Sequence, residues 1–263
     1  MAVHRLHFLG FDPADELIQG LVRCGFFLEQ GSRILDFGCG DGSFVYRLRD
    51  RGFDAHGFDI HNRVMLRSPG DARFFQFSPG DGADSSIMTA PRFTVPFPNA
   101  AFDFVFSNQV LEHVIDIHTT LGEVSRVMKP GAISLNIYPS RTALLEAHTF
   151  VPLGGVIRAR WWYCLWAWIG VANQHQIGKS IQERADENFR YARTGVCYRT
   201  DLQMIAEVGN YFPRAWFAEA TYYGPRSRHA ELRAFLNALR PPGRLRKLAA
   251  LGRLKVLIMQ ARP

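Results

Sequence analysis

The sequence is poor in lysine and cysteine and has no long apolar run. Of its 31 basic residues, only Lys129, Lys179, Lys247 and Lys255 are lysines. Cys24, Cys39, Cys164 and Cys197 form no CxxC pair, which argues against a zinc centre or a thioredoxin-like pair and suits a reducing compartment. No metal site is expected: His4 and His7 stand by the terminus, and Asp54, His56 and Asp59 read better as strand and ligand-contact residues. The first ten residues lack an apolar core of signal length. The stretch Trp161 to Ala172, WWYCLWAWIGVA, is twelve residues and too short to span a bilayer as a helix. Two readings of it stay open: a buried or half-buried helix, or a surface that meets lipid or an apolar ligand. A cytoplasmic protein, with membrane association left open, is the expectation.

Acidic charge is scarce at one end. The net charge is +7, yet the segment from Gly224 to Pro263 holds ten Arg or Lys against one acid, Glu231, so the remaining residues are slightly acidic in sum. Such a segment is either solvated surface or a contact for anionic partners. What is present is ordinary for a globular protein: 263 residues, 47% hydrophobic, enough for one core and a smaller lobe. No internal repeat appears.

The pattern alternates between strands and helices. Residues 12–30 read as a helix with Leu17, Ile18, Leu21 and Val22 on one face. Ile34 to Phe37 is a short buried strand, followed by three glycines at alternate positions and a helix over 43–50. Strands are expected at 53–60, 73–77, 102–106, 132–138, 216–222 and 254–259, and helices at 117–128, 200–208 and 228–239. Lys129-Pro130-Gly131 ends the helix before it, and Thr200 is an N-cap. Strand, turn, helix, strand implies a parallel crossover unit. Residues 140–199 break the alternation and hold all but one of the tryptophans. The expected organisation is therefore a core over 1–139, a helical cap over 140–199, and a completion of the core with a basic tail over 200–263.

The glycine loop carries chemistry. Asp36-Phe-Gly38-Cys-Gly40-Asp-Gly42 is GxGxG, not the GxGxxG of dinucleotide sites, and lacks the GK[ST] ending of a P-loop. Asp36 would repel a pyrophosphate and favour a ligand with an ammonium or sulfonium charge. Asp59, ending the next strand, stands where an acid takes both hydroxyls of a ribose.

These residues carry a resemblance. Ile34–Phe44, ILDFGCGDGSF, closely resembles the cofactor loop of class I S-adenosylmethionine-dependent methyltransferases. Pro96–Val114, PFPNAAFDFVFSNQVLEHV, resembles the next signature of that family's small-molecule, type 11-like branch, and Lys129-Pro130-Gly131 before a strand is a third match. The resemblance implies an α/β, Rossmann-like methyltransferase fold: a mostly parallel seven-stranded sheet with helices on both faces and a helical insertion after strand 5. It implies S-adenosyl-L-methionine as cofactor. Asp36, Gly38, Cys39 and Gly40 would line its methionine end, with Gly42 shaping the turn and Cys39 a non-reacting filler. Asp59 and Ile60 would meet the ribose, and Asn108, Gln109, Val110 and His113 would pass beneath or beside the cofactor. The acid near the adenine amino group is absent from its usual place, residues 89–95, so Asp84 or Asp81 is the substitute.

The insertion is where an acceptor pocket belongs. Within Glu146-Ala-His148-Thr-Phe-Val-Pro152, His148 is the candidate base or substrate-orienting residue, because imidazole exchanges protons near neutrality. Glu146 is a poor orienting partner if both lie on a helix. Tyr138 and Arg141 are second-rank candidates, Arg141 for an anionic group; Tyr191, Tyr198 and His175 are weaker. The expected substrate is a small molecule, apolar or anionic, with peripheral membrane contact left open. Two other readings are a nucleic-acid methyltransferase and a non-catalytic cofactor-binding protein. The first is disfavoured, since Ser107-Asn-Gln-Val110 stands where an NPPY-like base-flipping element would be.

Overall fold

The computed structural model describes residues 12–60, 71, 73–76, 94–224 and 254–263. The expected helix over 228–239, most of the basic tail, and Asp81 and Asp84 lie outside the described residues.

Helix α1 (Pro13–Arg23) starts where Asp12 accepts from the Ala14 amide at 2.8 Å and Pro13 sets the first turn. It buries Ala14, Leu17 and Leu21. It ends seven residues before the expected boundary, because Gly25 turns the chain at φ +84. Val22, expected to share one face with Leu17, Ile18 and Leu21, is 44% exposed, whereas Leu17 and Leu21 are buried.

The sheet holds seven strands among the described residues: β1 (Arg33–Phe37), β2 (Asp54–Asp59), β3 (Phe74–Gln76), β4 (Phe102–Asn108), β5 (Met128–Pro139), β6 (Arg214–Phe217) and β7 (Leu254–Gln260). Their spatial order is β3-β2-β1-β4-β5-β7-β6. The pairs from β3 through β5 are parallel, and β7 is antiparallel to both β5 and β6. The strand order reverses between β1 and β4, which places a crevice beyond their carboxyl ends.

Two apolar layers sandwich the sheet. On one face α1, α2 (Ser43–Arg49) and α7 (Glu219–Tyr223) cover Ile34, Phe104, Phe106, Leu135 and Ile258. On the other, α3 (Ile117–Val127) and α6 (Asp201–Val208) cover Leu35, Phe37, Phe102, Val105 and Met259. Neighbours in β1 and β4 thus bury opposite faces, which explains their near-continuous apolar runs. Thr200 caps α6 in a reciprocal box with Gln203, as expected.

Two further boundaries differ from the expected ones. Helix α3 ends at Val127, but β5 runs from Met128 straight through Lys129-Pro130-Gly131, with a register shift opposite Phe102–Phe104 that absorbs the proline. The strand expected at 216–222 ends at Phe217, and α7 follows. The cause is packing: the Tyr222 ring lies where a Cβ on Gly20 of α1 would be, and Arg23 Nε donates to the Tyr222 carbonyl at 2.6 Å.

The insertion after β5 folds as a cap. A turn-rich segment closed by the Leu145–Pro152 bridge leads into α4 (Arg160–Ile169) and α5 (Ile181–Thr194). Tyr163, Ala167, Ala185, Ala192 and Val151 form its own small core. Helix α4 is half-buried: Trp162 and Trp166 pack inward, while Trp161 and Trp168 are 63% and 72% exposed. The cap is tied back to the sheet's crevice, because the Cys197 amide donates to the Glu112 carbonyl and Arg199 to the carbonyls of Val114 and Ile115.

Candidate active site

The loop after β1 is held by backbone. The amides of Gly38 and Cys39 both donate to the Phe58 carbonyl, at 2.7 and 3.1 Å, and the Gly40 amide donates to Asp59 Oδ2 at 2.7 Å. Gly38, Gly40 and Gly42 all have positive φ. At Gly38 a Cβ would collide with the Val110 side chain, whereas at Gly40 nothing lies within 4 Å, so the backbone there opens onto free space. Gly42 starts α2 in the left-handed region. Cys39 is buried against Gly57 and burial drives its thiol pKa upward, which fits a filler and not a nucleophile.

Asp36 is 4% exposed in this crevice. Burial, and then the charges of Asp59 and Asp41, push its carboxyl up to about 8. Such a group gains most from a cationic ligand. Asp59 closes β2 beside it, and Ile60 follows, partly buried.

Across the switch point β4 ends at Asn108, partly buried. Gln109 then takes φ +58 with its amide on the Ile137 carbonyl at 2.7 Å, and this kink turns the chain into a 3₁₀ turn, Leu111–His113. The turn buries Val110 and Leu111 in the core and delivers Glu112 and His113 to the crevice.

Here the cap meets the sheet. His148 Nδ1 bonds Glu146 Oε1 at 3.0 Å. Glu146 also accepts from Tyr198 Oη at 2.5 Å, from the Thr149 amide and hydroxyl at 2.7 and 2.9 Å, and from the His148 amide at 3.0 Å. Burial alone would raise the Glu146 carboxyl, but these donors overcome it and hold it at about 2. His113 Nδ1 bonds the Gly195 carbonyl at 2.7 Å, and its ring lies 5.0 Å from that of His148. Burial lowers the His113 imidazole pKa. Glu112 is 2% exposed with neither carboxylate oxygen hydrogen-bonded, and burial raises its carboxyl to about 8.

The structure therefore brings His148 and His113 together and adds Glu112, Glu146 and Tyr198. The poor geometry expected of Glu146 applies to a helix; residues 146–149 are a turn, in which a carboxylate reaches two residues on. Tyr191 also borders the pair, its ring 5.2 Å from His148. Tyr138 packs in the layer under α3 and α6, and burial drives its phenol far up, which favours a packing role. Arg141 is exposed just past β5. His175 lies on the exposed surface of the cap. A nonlocal cluster such as Glu112, His113 and His148 has no spacing signature, so the sequence reading found no metal ligands there.

Comparison with known proteins is consistent with this geometry. A family model described as a methyltransferase domain matches residues 8–186, more than half of the chain. A curated ubiquinone biosynthesis O-methyltransferase of Paramagnetospirillum magneticum is 32% identical over 143 residues, 54% of this chain and 52% of that protein. The chain thus spans about half the length of that relative. An uncharacterized methyltransferase of Mycobacterium tuberculosis is 32% identical over 150 residues, 56% of this chain and 70% of that protein. A solved S-adenosylmethionine-dependent methyltransferase of Mesorhizobium loti is 16% identical with a TM-score of 0.49, covering 95% of this chain and 100% of that one. With the family model over two thirds of its length and the acid-lined glycine crevice at the switch point, the chain belongs to the class I S-adenosylmethionine-dependent methyltransferases, and S-adenosyl-L-methionine is its cofactor.

Proposed function

We propose that this chain methylates an oxygen of a small molecule bound between the glycine crevice and the cap. The observation that carries the reading is the Glu146–His148 pair placed against His113 and Glu112, next to the turn that follows β4. The name of the Paramagnetospirillum relative speaks of O-methylation in quinone synthesis, which supports an oxygen acceptor in this chain too.

The crevice fits the cofactor. Asp36 would face its ammonium, the open backbone at Gly40 leaves room for its methionine end, and Asp59 would take the ribose hydroxyls. When bound, the cofactor supplies a methyl group on a sulfonium, a good leaving group for in-line displacement. The chain's part is to align the acceptor, exclude water and handle one proton. His148 does the last: with Nδ1–H committed to the Glu146 carboxylate, Nε2 carries the lone pair that accepts a hydroxyl proton. Glu146 fixes the tautomer and stabilises the imidazolium that forms, and Tyr198 and Thr149 fix Glu146. Arg141 would receive an anionic group on the acceptor.

The exposed face of α4, with Trp161, Leu165, Trp168 and Ile169 beside Arg160, supports an apolar tail on the acceptor or contact with a membrane surface from the cytoplasmic side. Among the described residues no helix is long and apolar enough to cross a membrane.

The reading is tested by incubating the protein with methyl-labelled cofactor and a small-molecule and lipid extract, with Asp36→Ala and His148→Ala in parallel. Label in one product, lost in both variants, is expected. Full labelling by His148→Ala would remove it as the base.

A further inference from the structure

Three lone-pair donors converge at the floor of the proposed acceptor pocket. Glu112 is buried with neither carboxylate oxygen hydrogen-bonded, an arrangement that a ligand would complete. His113 and His148 each present the same face. The Nδ1 of His113 lies on a carbonyl and that of His148 on a carboxylate. Both partners are acceptors, so both Nδ1 atoms carry the proton and both Nε2 atoms keep a free lone pair. Imidazoles pinned in this way, through a carbonyl or a carboxylate behind the ring, are what metal-binding histidines need. One ligand atom from each of Glu112, His113 and His148 lies within 4.8 Å of the other two, and His113 Nε2 is 3.8 Å from Glu112 Oε1. Ligands about 2.1 Å from a common ion stand roughly 3 to 4 Å apart, so small side-chain rotations close the set.

We propose that Glu112, His113 and His148 bind one divalent transition-metal ion, whose remaining positions take the acceptor oxygen. Two imidazoles and one carboxylate suit zinc, manganese or iron better than magnesium or calcium, which prefer oxygen throughout. The site is open on the histidine side: each imidazole keeps 22% exposure, while the Glu112 side chain keeps none. Entry of the ion and of the acceptor is therefore past the two rings. Glu146, with its donors Tyr198 and Thr149, is the positioning residue behind His148.

The inference rests on the reading of this pocket as the acceptor side, and it changes how the proton leaves. In the ion-free protein the hydroxyl proton goes to His148 Nε2. In the loaded protein that lone pair would be engaged, and the cation would lower the hydroxyl pKa so that the proton leaves to bulk solvent as the acceptor enters past the two rings, before water is excluded. In both, the O–H electron pair stays on oxygen, the C–O bond forms, and the S–CH₃ bond breaks with its pair left on sulfur. The metal changes no oxidation state.

The test is cobalt(II) titration of the chelator-stripped full chain, followed by visible absorption and by metal content after gel filtration. Glu112→Gln, His113→Ala and His148→Ala are run beside it, with circular dichroism to confirm folding. One equivalent of cobalt per chain with d–d bands, and at least about tenfold weaker binding in each folded variant, is expected. No stoichiometric uptake by the wild type overturns the site, and so does unchanged uptake by folded His148→Ala. S-adenosylhomocysteine binding is measured by calorimetry on the same stripped samples. If it binds and cobalt does not, the metal site fails while the methyltransferase reading stands. Cobalt uptake without S-adenosylhomocysteine binding would sustain the ion site and sink the function proposed above.

Discussion

At the scale of single residues, Asp36 sets a pH dependence whose sign is fixed. Its carboxyl holds its proton up to about 8 in the folded chain but releases it near 3.8 when unfolded. Between those values the folded state binds the extra proton, so the cofactor-free protein loses stability as pH rises from about 4 to about 8, and changes little from this group above that. A cationic ligand must expel the proton, so cofactor affinity climbs over the same window, by at most about tenfold per pH unit. Thermal melts and calorimetry across pH 5–9 check both slopes; Asp36→Asn is expected to flatten the affinity slope and to reduce the stability slope, the remainder coming from Glu112, whose buried carboxyl is also raised to about 8, and unchanged slopes in the variant would remove Asp36 as a source. Glu146→Gln should spare cofactor binding yet lower kcat on the order of a hundredfold, since it loses the charge that stabilises imidazolium at His148. Tyr198→Phe removes one donor from Glu146 and should cost less. A steady-state assay with saturating cofactor separates these effects, and an unchanged kcat in Glu146→Gln would argue against the pair.

At the scale of elements, close approaches explain what periodicity did not reveal. Gly20→Ala puts a methyl into the Tyr222 ring, joining α1 to α7, and should lower the melting temperature by several degrees (about 1–3 kcal/mol for an overpacked contact). Gly38→Ala adds left-handed strain to a clash with Val110 and should weaken cofactor binding as well. By contrast, Trp161→Ser and Trp168→Ser on the outer face of α4 should leave the melt unchanged and act on acceptor KM or on co-sedimentation with vesicles. A large loss of stability would mean those rings are packed. The order of strands and helices was legible in the sequence because β1 and β4 bury both faces and because Thr200 marks a helix start chemically; the caps at Asp12 and Gly42 came with the structure. The end of α1 is marked locally, by Gly25, but the apolar pattern running past it masked that signal; the switch from β6 to α7 was not legible, since Tyr222 meets Gly20 some two hundred positions away in the chain. The crevice was legible in its glycines and acids, which are local. The Glu112–His113–His148–Glu146 grouping was only half legible: His148 stood out by its chemistry, but its partners arrive from the β4 turn and from Tyr198 at the far end of the cap.

At the scale of the whole molecule, the sheet reverses its strand order between β1 and β4, and the insertion after β5 packs a small core of its own. The two are joined by backbone bonds from Cys197 and Arg199 to the Glu112–Ile115 segment, so a ligand that fills the crevice should stabilise the cap as well. The account stands on cofactor binding at the Asp36–Gly42 loop with Asp59. The most direct measurement is calorimetric titration of S-adenosylmethionine into the wild-type chain and into Asp36→Ala and Asp59→Ala. The account predicts one equivalent bound per wild-type chain and binding lost or weakened at least tenfold in each variant (about 1.4 kcal/mol). Absence of binding to the wild type, or equal binding by all three, would contradict it.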